Sequence, residues 1–563
     1  MSSPVGPQTA PALATFTHKY CQRGETYRDV CNRVASALSD SDAHYRATRE
    51  VLLDQRFVPG GRILSTVGTT KCTTPYNCFV SGAIADSFVD GPGNIMQRAH
   101  EAAATLRMGG GIGYDFSTLR PRGDKIAKLD SHSTGPISFM EIFGAIGACT
   151  SSTGERRGAQ MAILRVDHPD IEEFIHAKQN PNRLTSFNLS IAITDEFMQA
   201  VAEGDEFPLR FNGRVYRSVD AAALWNSIMR STWDWAEPGV VFIDRINHWN
   251  NLSYCETIAA TNPCSEQPLP PFGACLLGAF NLVRYLKPRA APASLDSPRW
   301  TFDKEQLIAD IPLVVRSMDN VVDQAIYPIP GQQISAEQTR RMGLGVMGLA
   351  NALEACGLPY GTDGFLAEME VILATIKDHA YLASAALAKE KGPCPAYVPA
   401  SYLERPFIKA LSPIVRAAIS EHGIRNSHLT TIAPTGTTSF CMDNVSSGIE
   451  PVWAPLSRRI VSTPSGPTEY EVQDYGTAIG VTPRTAMEVS AKEHIAVLAL
   501  AQRHVDSAIS KTCNVPSTMA WDDFKDLYIQ AWKQGAKGCS TFQVGGKRAG
   551  IMTEACIDGS CAA

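Results

Sequence analysis

The sequence has no run of 18 consecutive apolar residues, so no segment reads as a membrane span. It also lacks any long block of like charges, and with 44% hydrophobic and 19% charged residues it has the composition of a folded globular chain. Positive charge is short: a formal net charge of −6 argues against a nucleic-acid duplex as partner, though not against single nucleotides. Zinc-type spacing is missing too, because Cys78, Cys264, Cys275, Cys556 and Cys561 form no C-x2-C pair and no H-x3-H accompanies them. No metal-ligand set is therefore assigned. There is no Walker A loop. The N-terminal "MSSPVGPQTAPALATFTHKY" has neither the apolar region of a signal peptide nor the arginines of a transit peptide, and it reads as a flexible leader.

What is present begins with fifteen cysteines, an odd number scattered from Cys21 to Cys561. That pattern does not suit a secreted disulfide scaffold and predicts a reducing, cytoplasmic setting. The 563 residues allow three or four domains, or one large α/β barrel with insertions. Residues 25–56 carry apolar positions at helical spacing and read as a helical cap. From Phe57 onward short apolar runs such as "FVPGGRIL", "MAILRV" and "FNLSIAI" alternate with glycine-rich turns and amphipathic stretches. This predicts repeated β/α units around a mostly parallel sheet or barrel. Three regions follow: a leader and helical cap over 1–56, an α/β body over 57–545, and a mobile tail over 546–563. The stretch "AAPASLDSP" (290–298) reads as a surface loop.

The segment "ATNPCSEQPL" (260–269) sets an amide, a thiol and a carboxylate at every second position: Asn262, Cys264, Glu266. In an extended strand residues two apart project to one side, so the three groups would face one small volume. On its own the stretch reads more simply as a loop holding one buried cysteine. Cys275 in "GACLLGAFNL" and Cys78 in "YNCFVSG" add two thiols, and the tail adds Cys556 and Cys561, placed to suit thiol exchange or merely incidental to a frayed end. "APTGTTSF" (433–440) offers a turn able to bind phosphate without lysine, or an ordinary helix cap. "DSHSTG" (130–135) matches a cobalt-ligating pattern of cobalamin domains, but it sits in a polar loop and reads as coincidence.

Together and in this order, "NCFV", "GGGIGYDFSTLRPRGD", "GPISFMEIF", "RRGAQMAILRVDHPDIEEFI", "FNLSIAITDEFM", "NPCSEQPL", "CLLGAFNL", "RRMGLGVMGLA", "APTGTTS" and the tail cysteines resemble the large catalytic subunit of ribonucleotide reductases, in particular the adenosylcobalamin-dependent class II enzymes. The resemblance implies a ten-stranded α/β barrel with a central finger loop, reducing ribonucleoside diphosphates to 2'-deoxyribonucleotides. Cys264 would become a thiyl radical, Glu266 would act as base, Asn262 would orient the sugar, and Cys78 and Cys275 would close a disulfide. Cys556 and Cys561 would pass electrons from a thioredoxin- or glutaredoxin-like reductant. Asn77, Gly110, Gly111, Pro434, Thr435, Gly436, Thr437 and Thr438 would bind substrate. Asp86, the loop 124–134 and the loop 150–159 with Arg156 and Arg157 would bind a deoxynucleotide effector in a homodimer.

The cofactor implied is adenosylcobalamin with its cobalt. Class I relatives receive their radical from a separate metal subunit through adjacent tyrosines near the tail, where this sequence has Thr541 and Phe542 in "GCSTFQVGGKR". A class I-type subunit and a nucleotide-binding relative without catalysis are the alternative readings.

Overall fold

The computed structural model describes residues 5–150, 158–180, 182–289, 298–463 and 466–543. The chain opens with three helices, α1 (Ala10–Tyr20), α2 (Tyr27–Leu38) and α3 (Asp42–Leu53). α2 begins where the sequence supplies a reciprocal cap: Thr26 and Asp29 each satisfy the other's backbone N–H. The helical cap expected over 25–56 is present. Of the stretch expected as a flexible leader, residues 10–20 are helical. Ala12, Phe16 and Tyr20, each four apart, form one buried seam, and the Phe16 ring lies 5.3 Å from that of Tyr20 and 4.9 Å from that of Tyr27. Three residues make too short a period to stand out in a polar sequence, and the helix depends on its tertiary partner.

Ten segments build the body: β1 (Cys78–Val80), β2 (Gly111–Asp115), β3 (Gln160–Arg165), β4 (Phe187–Ile193), β5 (Gly239–Phe242), β6 (Ala274–Cys275 and Leu277–Asn281), β7 (Gly343–Met347), β8 (residues 430–432), β9 (Thr512–Val515) and β10 (Gly538–Gln543). Neighbours run parallel from β1 to β5 and again from β6 to β10. The two halves meet antiparallel at Cys275↔Cys78 and at Val240↔Cys539. β8 is held by the bridges Leu344↔Thr430 and Ile432↔Ile509, so the pairing returns on itself as an α/β barrel of ten segments. Strands covered on both faces read as nearly unbroken apolar runs, and β3 and β4 are buried along almost their whole length.

Between β5 and β6 the chain makes a short hairpin, Ala260–Thr261 pairing with Pro268–Leu269, which packs against β2 and β3. This is the finger. The helix Asp363–Lys391 is long and apolar enough by composition to cross a membrane, but 67% of its apolar 18-residue window is buried inside the fold. Residues 290–297 of the expected surface loop, and the tail from 544, lie outside the described residues.

The barrel's second half is tied to its outer helices by a buried ionic knot. Asp319, on the helix Lys304–Gln324, accepts from Arg340 (2.8 Å), Asn426 (2.8 Å) and Arg425 (3.2 Å), residues that lead into β7 and β8. Burial would raise the pKa of this carboxyl, but Arg340, Arg425 and Asn426 outweigh it and hold the value down. Its stabilisation is therefore present at neutral pH and lost as pH falls below the ordinary carboxylate range. Asp319→Ala leaves Arg425 without its carboxylate partner and the buried Arg340 with Asp323 alone, and is expected to cost about 3–5 kcal/mol in urea unfolding. A change under 1 kcal/mol would refute this account of the knot.

Candidate active site

The tip of the finger is a tight reversal. Asn262 N–H donates to the Gln267 carbonyl (3.1 Å), and Ser265 N–H donates to the Asn262 carbonyl (3.1 Å). Gln267 N–H donates to Asn262 Oδ1 (3.0 Å). Ser265 sits at φ +64°, a left-handed conformation that a non-glycine residue adopts at a cost. The even spacing of Asn262, Cys264 and Glu266 is therefore not strand alternation: a turn brings these residues together. Along residues 260–270 only Cys264 and Ser265 are partly exposed, while Asn262 and Glu266 are 0% and 1% exposed.

Both flanks of the finger are pinned. Asn188 on β4 donates to the Pro263 carbonyl (2.9 Å); the Thr431 hydroxyl (2.7 Å) and Ala508 N–H (2.9 Å) donate to the Glu266 carbonyl. On the β2 side the approach is so close that a β-carbon on Gly113 would lie 1.8 Å from the Thr261 carbonyl oxygen. A β-carbon on Gly111 would meet Pro263 at 3.1 Å and Cys78 Sγ at 3.2 Å. Glycine is required there for contact between backbones.

Cys78 and Cys275 stand opposite each other where β1 and β6 pair. Directly opposed residues of an antiparallel pair have Cα atoms about 4.5–5.5 Å apart, within the range a disulfide spans. Burial pushes the Cys275 thiol far up, with Cys78, Glu266 and Cys264 adding to the effect. Cys275 is accordingly a protonated thiol at neutral pH, and these three groups are its electrostatic neighbours. The finger tip and the thiol pair share one volume.

Above them lies a cavity of about 370 Å³ lined by Asn77, Cys78, Cys264 and Glu266, by residues 433–438, and by Arg62, Ser65 and Lys71. Asn77 Oδ1 and Asn262 Nδ2 are buried with no hydrogen-bond partner among the described residues. Pro434, Thr435, Gly436, Thr437 and Thr438 form the start of a short helix, Gly436–Cys441, capped by Thr435 at φ +53°. The first-turn N–H groups of a helix have no intrahelical acceptor, which suits an anion. Gly436 is open: a β-carbon there would meet nothing within 4 Å.

Two expected substrate contacts are placed elsewhere. Gly110 and Gly111 do not line the cavity; Gly110 backs onto the Phe79 ring, 2.7 Å from where its β-carbon would be, and Gly111 lies under the finger. Their lack of side chains serves packing. Asp86 is engaged within the chain: it accepts from Arg120 Nε (2.8 Å) and Arg120 N–H (3.1 Å). The loop 124–134 is a hairpin, Lys125–Ile126 with Ser131–His132, and His132 of "DSHSTG" is exposed on it. Arg156, Arg157, Cys556 and Cys561 lie outside the described residues.

Sequence reading missed one wall altogether. His18, Lys19 and Tyr20 from the last turn of α1 line the cavity together with Arg62 and Lys71. Only Arg62 stands in a motif quoted above, and nothing in the linear order brings these residues together.

The sequence profile of the family described as "Ribonucleotide reductase, barrel domain" matches residues 77–475 and 468–542. A "Vitamin B12-dependent ribonucleoside-diphosphate reductase" of Mycobacterium tuberculosis (strain CDC 1551 / Oshkosh) is 33% identical over 536 residues, 90% of this chain and 72% of the relative. A protein of the same name from Thermoplasma acidophilum is 32% identical over 546 residues, 91% of this chain and 67% of the relative. A "Ribonucleoside-diphosphate reductase subunit alpha" of Chlamydia muridarum is 26% identical over 504 residues, 78% of this chain and 46% of the relative.

Proposed function

The chain belongs to the ribonucleotide reductase large-subunit family, and from that premise we propose that it is a vitamin B12-dependent reductase of ribonucleoside diphosphates. The observation that carries the reading is the convergence on one cavity of a partly exposed thiol, a buried carboxylate and Cys78, which stands directly across the strand pair from the buried Cys275.

Cys264, as a thiyl radical, takes the 3'-hydrogen of the ribose and returns it at the end. Glu266 accepts the 3'-hydroxyl proton, and the 2'-hydroxyl leaves as water. Cys78 and Cys275 supply two electrons and two hydrogens and close a disulfide, so each deoxyribonucleotide is balanced by one water and one S–S bond. Asn262 and Asn77 orient the sugar; residues 434–438 take the phosphates. Holding these groups in register removes much of the entropic barrier.

The residues fit adenosylcobalamin. Cys264 is partly exposed at the finger tip and so open to a bulky group, whereas Cys275 is 0% exposed. Such a group would lie against Cys264 and Ser265. When bound, it would supply from its weak cobalt–carbon bond the one-electron chemistry that the thiyl role of Cys264 requires. A relay from a second subunit is disfavoured: Thr541 bonds to the Tyr528 hydroxyl (2.9 Å) and Phe542 packs on Trp453, so neither offers a tyrosine.

The remaining partners follow the same reading. Cys556 and Cys561 reduce the Cys78–Cys275 disulfide and are re-reduced by a thioredoxin- or glutaredoxin-like protein. Deoxynucleotide effectors bind near Asp86 with the loops 124–134 and 150–159. A homodimer would cover the exposed Phe88, Val89 and Met96, apolar side chains beside that region.

The test is anaerobic turnover with adenosylcobalamin as the sole added radical source. Formation of deoxyribonucleotide is expected; no turnover of any ribonucleotide would defeat the proposal. Cys275→Ser is expected to yield less than one product per chain, even with excess reductant, by counting product in a quenched reaction. Multiple turnovers would remove Cys275 from the redox role.

A further inference from the structure

We infer that the last turn of α1, through His18 and Lys19, joins Arg62 and Lys71 in a second wall that binds the terminal phosphate of the substrate and sets the preference for a diphosphate. The inference rests on the ribonucleotide reading above and names residues that reading does not use. Four basic side chains line the cavity and Glu266 is the one acidic side chain among its lining residues, so the cavity favours a polyanion beyond what the first turn at Gly436 provides. The C-terminal end of a helix carries partial negative charge and by itself repels phosphate; Lys19 in the last turn of α1 offsets that charge where the end meets the cavity.

The wall is held at a fixed distance from the phosphate cradle. Asp443, two residues beyond the helix Gly436–Cys441, accepts from the N–H groups of Gln8 and Thr9 (both 2.8 Å), which open α1. The start of α1 and the cradle are thus anchored to each other. At the other end Tyr20 backs onto Gly61, whose β-carbon would lie 3.0 Å from the ring. The neighbouring Arg62 is aimed by Gly109: a β-carbon there would lie 2.5 Å from Arg62 Nη1. A nucleotide whose first phosphate sits on residues 434–438 presents its next phosphate to this basic wall, where charge-assisted hydrogen bonds are strong and sensitive to chain length.

The test compares a ribonucleoside diphosphate with its monophosphate in the full-length protein. In the double variant Lys19→Gln, Lys71→Gln, the KM for the diphosphate is expected to rise about tenfold or more, with kcat within about twofold. The KM for the monophosphate should change less than about threefold, and Lys19→Arg should behave nearly as wild type. Equal changes for both nucleotides, or none, overturn the inference. Inorganic pyrophosphate, compared with phosphate as a stabiliser against thermal unfolding, gives a readout independent of turnover. The double variant should need about tenfold more pyrophosphate for the same shift. An unchanged requirement sinks the wall even if the enzyme is active, whereas absent turnover with a normal pyrophosphate effect sinks only the reductase reading.

Discussion

Cys264→Ser is expected to lower turnover by at least about 10⁴-fold while nucleotide affinity stays within about threefold. The two parts of this expectation come from different features of the finger. The reversal at 262–267 is made by backbone hydrogen bonds and by Asn262 Oδ1, and serine differs from cysteine by a single smaller atom, so it fits without rearranging the tip. Cys264 is partly exposed to the cavity, and the smaller hydroxyl leaves the phosphate cradle and Asn77 untouched. What changes is the bond that must break: an O–H bond holds its hydrogen much more tightly than S–H, and an oxygen radical cannot be formed and re-formed at this energy. Product formation measured beside equilibrium nucleotide binding separates the two effects. Turnover near the wild-type rate would remove Cys264 from its role, and loss of binding would make it a structural residue.

The parallel halves of the barrel were legible because strands such as "MAILRV" and "FNLSIAI" are covered on both faces and so are apolar throughout. β8 was not: residues 430–432 make only bridge contacts and carry no period. The juxtaposition of Cys78 with Cys275 is a matter of register across nearly 200 residues, and no local pattern encodes it; only resemblance pointed there. The finger shows a subtler gap. Its three functional side chains were correctly grouped, but through the wrong geometry, because the positive φ of Ser265 has no glycine or Asn-Gly signature to announce a turn. The wall from α1 went unseen for a related reason. A helix whose seam is Ala12, Phe16 and Tyr20 is stable only against its tertiary neighbours, α2 and the helices Gly61–Thr66 and Gly436–Cys441 among them, so its existence, and with it the placement of His18 and Lys19, is a tertiary fact.

Dependence on close backbone contact makes Gly113 the most exacting glycine of the site. In Gly113→Ala the new methyl would stand 1.8 Å from the Thr261 oxygen and 3.0 Å from its carbonyl carbon, and both are backbone atoms that no rotamer change can move. Either β2 retreats from β3, breaking the ladder that pairs Gly113 with Met161, or the finger withdraws by more than an ångström. The finger is the weaker partner, with two residue pairs in its own hairpin. We expect it to move, carrying Cys264 away from Cys78 and Cys275. Displacement of about 1 Å at a reacting group costs roughly 10²-fold in rate, and overpacking adds about 1–3 kcal/mol of destabilisation. Gly144→Ala is the matched control: it lies within the helix Pro136–Cys149 and its β-carbon would have 3.9 Å of clearance, so stability should hold or rise slightly. Single-turnover rates and urea midpoints of the two variants decide the matter. A Gly113→Ala enzyme as fast as wild type would show that the position of the finger against β2 does not govern the chemistry.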